Sequence, residues 1–439
     1  AFCLDENMLD LRKFLNDSPV SFYAVKYTCD YLLNYGYQLC DESKPCTFAS
    51  GKKYLFKRNG SSLVAVDIGG LVEKDNCCFH IIASHSDSPC FKLKPECDGK
   101  TDIYNKVNVE PYGGMICSTW LDRPLGIAGR VMIKENGKII TKLVNFDEDL
   151  LIIPNMCIHF NREINTGYSY NMASDMQAYI GQELQDRPIK DLLIKKLSVK
   201  EENILNFDLY LYNREKATIW GQNKEYISSP RLDDLECVYA SRQALASSYN
   251  ARAINIMYIS DNEEVGSSSR QGADSDFLLS IVNRIIESFG CSNGDLGRIT
   301  ANSFMISADN AHAVHPNNPG MTDANNKCYM NKGIAIKFNA SQSYTSDSVS
   351  SSIFQEICNK AGVPYQFFSN RSDKRGGSTL GNILLSHLSF RSVDVGLPQL
   401  AMHSSFETAG TKDITYAINA FKMFYSSDIL VEDETYQIK

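Results

Sequence analysis

Four short apolar runs in this sequence stop abruptly at a histidine or a carboxylate, and that pattern constrains the fold more than any other feature. Phe79–Ser84 leads into His85-Ser86-Asp87, and Ile254–Ser260 into Asp261-Asn262-Glu263-Glu264-Val265-Gly266. Ser303–Ala308 leads into Asp309, and the segment Val393–Met402 into His403. Runs of this length and apolarity suit strands of a central sheet covered on both faces. In open α/β sheets, ligands gather at the carboxyl ends of the strands. Separate stretches of chain can therefore meet at one place. A fifth candidate, Asp233, lies in Pro230-Arg231-Leu232-Asp233-Asp234-Leu235, just before an apolar helix.

The rest of the chain fits around those runs. Met8, Leu9, Leu11, Phe14 and Leu15 recur near helical spacing, and Ser18-Pro19 interrupts them. Phe22, Val25, Cys29, Leu32 and Leu33 form a second helical face. Tyr54–Lys57, Ser62–Asp67 and Cys78–Ala83 read as strands. From Lys94 to Ser229 strand-like pieces dominate: Val107–Glu110, Ile127–Lys134, Lys138–Val144 and Asn206–Tyr212, with Glu135-Asn136-Gly137 as a turn. One helix is expected among them, at about Asp175–Leu184. After Pro230 the rhythm returns to strand then helix, with helices expected at Asp276–Phe289, Ser348–Ala361 and Asp413–Tyr425. The expected class is α/β: a mixed central sheet with helices on both faces, from residues 1–93 and 229–439, interrupted by a β-rich insertion at 94–228.

Composition excludes several functions. The 439 residues carry 44 basic and 52 acidic side chains, a net charge of −8. With no basic run, the chain lacks the face that nucleic-acid binding needs. No stretch of ~18 apolar residues suggests a membrane span. The first residues, with Asp5 and Glu6, do not read as a secretory signal, although a start at Ala1 leaves a removed leader open. The 14 cysteines are scattered without a Cys-x-x-Cys pair, as expected for free thiols in a reducing, cytoplasmic setting.

Two histidines and three carboxylates suit two divalent ions of the zinc type, with one carboxylate shared. Such a pair lowers the pKa of a shared water and polarises a carbonyl, which suits hydrolysis. In Glu263-Glu264, one glutamate can bind metal while its neighbour acts as general base. Each residue also has an ordinary reading. Asp87 or Asp233 alone is a cap or turn residue. His85 or His403 alone is a hydrogen-bonded structural histidine, and the glutamate pair a solvated loop. Spacing alone leaves both readings open.

Longer motifs around these residues resemble the aspartyl aminopeptidase family of dinuclear zinc peptidases. They are Ala83-Ser84-His85-Ser86-Asp87-Ser88-Pro89-Cys90, Val109-Glu110-Pro111-Tyr112-Gly113-Gly114, Ser118-Thr119-Trp120-Leu121-Asp122-Arg123 and Ile153-Pro154-Asn155-Met156-Cys157-Ile158-His159-Phe160. Three more follow: Ser260–Ser267, Asp309–Asn317 and Pro398–Ser404. All run in family order, from about Phe14 to Tyr425. The resemblance implies one metal on His85 and Asp309, the other on Glu264 and His403, and Asp233 bridging. Zinc is expected, with manganese or cobalt as substitutes. It implies Glu263 as general base and Asp87 orienting His85. It also implies release of an N-terminal Asp or Glu from peptides, with Lys337 meeting the acidic side chain and Tyr344 and Ser378 beside it. The inserted segment would be a dimerisation and lid domain. His159 would reach a neighbouring subunit's site to stabilise the oxyanion, in a dodecamer built from dimers.

The sequence departs from the family in places. Asp234 stands where the family has Asn after the bridging Asp, Lys374-Arg375-Gly376 replaces Met-Pro-Cys, and Phe406 replaces Arg. The added cations at Lys374 and Arg375 either strengthen an acidic preference or face solvent. Two other functions remain in view: a neutral-specificity dinuclear aminopeptidase or deacylase, and an assembly or cargo protein with a vestigial site.

Overall fold

The computed structural model describes residues 5–439. Its centre is a nine-stranded mixed sheet. In spatial order the strands are Gln38–Cys40, Lys53–Arg58, Ser62–Ile68, Ile254–Ser260, Phe79–His85, Phe304–Ala308, Arg391–Gly396, Ile334–Phe338 and Tyr365–Ser369. The four strands from Ile254–Ser260 to Arg391–Gly396 run parallel. Their side chains alternate between two cores. Leu63, Ala65, Met257 and Ile259 face one core, under the helices Glu6–Asp17, Ser21–Leu33, Leu232–Ser247, Ser348–Ala361 and Asp413–Ser426. Val64, Val66, Ile256 and Tyr258 face the other, under Phe277–Ser288, Leu296–Ala301 and Leu380–Leu385. Period-two burial into two apolar layers explains why these runs read as unbroken hydrophobic stretches.

A six-stranded antiparallel sheet has its own core. Its order is Lys138–Asn145, Leu125–Glu135, Ile204–Asn213, Cys90–Thr101, Tyr104–Tyr112 and Ala178–Gln182. The Asn136-Gly137 hairpin holds both residues at positive φ, 51° and 76°, as a tight turn between twisted strands requires. A five-stranded sheet, Thr218–Trp220, Tyr226–Ser229, Glu407–Gly410, Pro398–Leu400 and Ala311–His312, lies against the ends of the central strands. The 13 cysteines among the described residues are all free. No described helix is long and apolar enough to cross a membrane.

Two local expectations are corrected. The helix expected at Asp175–Leu184 is instead the strand Ala178–Gln182, paired antiparallel with the Tyr104 end of its neighbour. Met176 and Ala178 are buried and Ile180 packs beside them, which is period two rather than helical period. The helix comes later, at Pro188–Leu197, with proline in its first turn. The segment expected to bring His403 to a strand end, Val393–Met402, spans two strands. Arg391–Gly396 belongs to the central sheet, and Pro398–Leu400 to the five-stranded one. Pro398 lacks the N–H that would continue the central ladder.

One core residue makes stability depend on pH. His80 is 1% exposed beside Phe424, with both ring nitrogens unpartnered. Burial pushes its pKa down from 6.5 to about 4. Below pH ~6.5 the unfolded chain binds a proton that the folded chain refuses until about pH 4, so stability falls across that window. The full loss is of order 3 kcal/mol. His80→Phe is expected to raise the melting temperature by a few degrees more at pH 5 than at pH 8. An equal gain at both pH values would refute this.

Candidate metal centre

The adjacent parallel strands Ile254–Ser260, Phe79–His85 and Phe304–Ala308 end side by side, with Ser260 opposite His85. His85, Glu263, Glu264 and Asp309 therefore reach one place. Gly396 is required there, because a Cβ would lie 1.8 Å from the Asp309 carbonyl oxygen. Asp233 comes from the start of the helix Leu232–Ser247. His403 follows the second short strand, Pro398–Leu400, and not a central one.

Asp233 stands between two imidazoles. Its Oδ1 is 3.4 Å from His85 Nε2, and its Oδ2 is 3.5 Å from His403 Nε2. Asp309 Oδ1 lies 3.8 Å from His85 Nε2, and Glu264 Oε2 lies 3.1 Å from His403 Nε2. Glu263 Oε2 is 3.9 Å from His85 Nε2. Each imidazole has a backbone carbonyl at its other nitrogen, Asp87 O at 3.0 Å from His85 and Gly114 O at 2.8 Å from His403. A carbonyl only accepts, so Nδ1 carries the proton and Nε2 faces inward.

The charges in this pit are poorly balanced without a cation. Burial pushes the carboxyls of Glu263 and Asp309 up, and carries Glu264 to about 7. Burial works against charge on His403, but hydrogen bonds to Asp233 and Glu264 outweigh it and lift the ring to about 11. Buried and unpartnered are His85 Nε2, Asp233 Oδ1, Asp234 Oδ1 and Glu264 Oε1. Buried polar atoms rarely go unsatisfied. His85, Asp233 and Glu264 offer atoms within 4.8 Å of one another, as do His85, Asp234 and Asp309. This donor set, imidazole nitrogen with carboxylate oxygen, fits a zinc-type ion.

A cavity of about 210 Å³ opens over these groups, and Lys337, Tyr344 and Ser378 line it. Lys337 and Tyr344 are buried, and Ser378 is exposed. Thr379 occupies the cap position of the following helix. The Asp87 carboxylate mainly fixes the glutamate loop, accepting from the Glu263 and Glu264 N–H groups at 3.1 Å each and from Tyr112 Oη at 2.8 Å. It also sits 3.3 Å from His85 Nδ1. Lys374 and Arg375 face solvent, and Phe406 is half-buried. His159 is not brought to the cavity; it lies in an exposed stretch that also holds Met156, Ile158 and Phe160.

Several residues escaped the sequence reading. Asp234 is buried, accepts from the His85 N–H at 3.1 Å and offers its other oxygen to the cluster. His312 lines the cavity beside Lys337. Glu407 accepts from the Asp233 N–H at 3.0 Å and the His403 N–H at 2.8 Å, one on each oxygen. An acid four residues after His403 was the only available signal, and its burial is invisible in sequence.

Comparison with known proteins shows the family. The family described as Aminopeptidase I zinc metalloprotease (M18) matches residues 14–425. The chain belongs to the M18 aminopeptidase family. It is therefore a metallo-aminopeptidase, a hydrolase. A probable M18 family aminopeptidase 2 of Clostridium novyi is 45% identical over 426 residues, covering 95% of this chain and 98% of the relative. Aspartyl aminopeptidase 1 of Schizosaccharomyces pombe is 35% identical over 455 residues, covering 97% and 96%. A cryo-EM structure of an Ape4 and Nbr1 complex superposes with TM-score 0.92 at 35% identity, covering 95% of this chain and 85% of that one. The S. cerevisiae mApe1 dodecamer gives 0.84 at 27% identity, covering 96% of each. This M18 chain thus shares both its fold and its length with these relatives.

Glu407 generates a direct prediction. In Glu407→Gln, the amide NH2 must face one of the two backbone N–H donors. Metal affinity is expected to fall at least ~10-fold, as for other groups that orient ligands. Equilibrium dialysis with zinc measures it, and an unchanged affinity would remove Glu407 from the site's support.

Proposed function

We propose that this M18 enzyme releases N-terminal Asp or Glu from peptides. The observation that carries this reading is Lys337. The residue is 3% exposed and lines the cavity beside the candidate ligands. Burial opposes its charge, but Asp309 and the Tyr344 hydroxyl outweigh that and push its pKa up, so it stays an ammonium. Its hydrogen bond goes to the Asn310 carbonyl at 2.9 Å, and no described carboxylate comes within 4.0 Å. A buried cation with no carboxylate in direct contact is costly, and an acidic substrate side chain would supply that contact. The relationship to the S. pombe aspartyl aminopeptidase supports the same choice.

In this reading His85 and Asp309 would hold one divalent ion and His403 and Glu264 a second, with Asp233 shared between them and Asp234 as a further donor. Zinc ions there would polarise the scissile carbonyl and make water a better nucleophile. Glu263 takes the proton from the attacking water and returns it to the leaving amine. Asp87 and Tyr112 hold the loop that aims Glu263. The segment 94–228 acts as an oligomerisation domain. Its exposed Ile158 and Phe160 flank His159 and supply an apolar surface suited to a second copy. His159 then donates to the oxyanion of the neighbouring site. The dodecameric mApe1 relative supports that assembly, and the free thiols support a cytoplasmic location.

The test is hydrolysis of Asp-, Glu-, Ala- and Leu-peptides by wild type and Lys337→Ala, with and without chelator. Wild type should favour the acidic residues and lose turnover with chelator. Lys337→Ala should lose about 100-fold on Asp-peptides, in line with a broken buried pair, and little on Leu-peptides. Equal losses on both would overturn the pocket assignment. A flat wild-type profile would favour the neutral-specificity reading, and an enzyme that hydrolyses none of them would favour the vestigial one.

A further inference from the structure

An enzyme that recognises an acidic side chain through a lysine must keep that lysine from being neutralised by its own carboxylates. One such carboxylate, Asp394, stands on the neighbouring strand. The antiparallel strands Ile334–Phe338 and Arg391–Gly396 pair Ile336 with Val395. Lys337 and Asp394 are the next residues along that ladder, so they are cross-strand neighbours on one face. Asp394 is fully buried, where an ion pair with Lys337 would have little competition from water. Yet no such pair is formed.

Asp394 is engaged elsewhere. Its Oδ2 accepts from the Thr345 N–H at 2.5 Å and the Thr345 hydroxyl at 2.7 Å. Its Oδ1 accepts from the Thr379 hydroxyl at 2.5 Å. Thr379 borders the cavity with its hydroxyl turned to Asp394, and Thr345 follows the cavity residue Tyr344 on a separate loop. We propose that Thr345 and Thr379 are positioning residues for specificity: by saturating Asp394 they withhold it from Lys337 and leave the ammonium free for the substrate's carboxylate. The same three hydrogen bonds tie the two loops that wall the cavity to one fixed point.

This inference rests on the acidic-specificity reading, and the experiment separates the two. Thr379→Val keeps the side chain's shape but removes the hydroxyl, leaving Asp394 Oδ1 without its donor and able to turn toward Lys337. Steady-state kinetics on Asp- and Leu-peptides are measured for wild type, Lys337→Ala, Thr379→Val and Thr379→Ser. The expected result is a KM for the Asp-peptide raised roughly 10-fold in Thr379→Val, with kcat/KM for the Leu-peptide within about 2-fold of wild type. Thr379→Ser, which keeps the hydroxyl, should stay close to wild type on both. Turnover of the Leu-peptide also reports that the variant folds. Equal loss on both peptides, an unchanged KM for the Asp-peptide, or a serine variant that behaves like valine would overturn the inference. A wild type without acidic preference would instead remove the reading beneath it.

Discussion

The site depends on one carboxylate placed between two imidazoles. Asp233 offers a different oxygen to His85 and to His403, and the remaining acids arrange around that axis. The arrangement is electrostatically expensive without cations. Acids crowd a buried pit, where burial pushes Glu263, Glu264 and Asp309 toward their neutral forms. Divalent ions there would favour the charged forms. The fold concentrates this cost where chemistry can use it, while the two apolar layers around the central sheet stabilise the remainder of the domain.

The support of Asp233 comes from behind. Glu407 reaches from the five-stranded sheet to the backbone of both Asp233 and His403. Asp87 grips the loop bearing Glu263 and Glu264 from the opposite side. Two buried acids thus hold four site residues by their N–H groups. Holding backbone rather than side chains leaves the side chains free to face the cavity. Asp394 does comparable work at the cavity wall, fixing loops through Thr345 and Thr379.

How much of this was legible depended on whether a residue's burial could be read from its neighbours. The parallel strands announced themselves because both of their faces are covered, and their ends marked His85, Asp309 and the glutamate pair as candidates. The strand at Ala178–Gln182 was misread because a short edge strand that ends in Gly181-Gln182 carries only a few apolar residues. The route to His403 was misread because Pro398 moves the chain into another sheet without breaking the apolar pattern. Asp234, Glu407 and Asp394 were unreadable as support, since an acid's burial depends on elements far along the chain. His159 belongs to a different kind of question, because a single chain places it on an exposed surface.

The most direct measurement is anomalous diffraction at the zinc edge from crystals of the zinc-loaded protein. Two peaks per chain are predicted on either side of Asp233, one touching His85 and Asp309 and the other His403 and Glu264. A single peak, or two peaks with no carboxylate of Asp233 between them, would contradict the account.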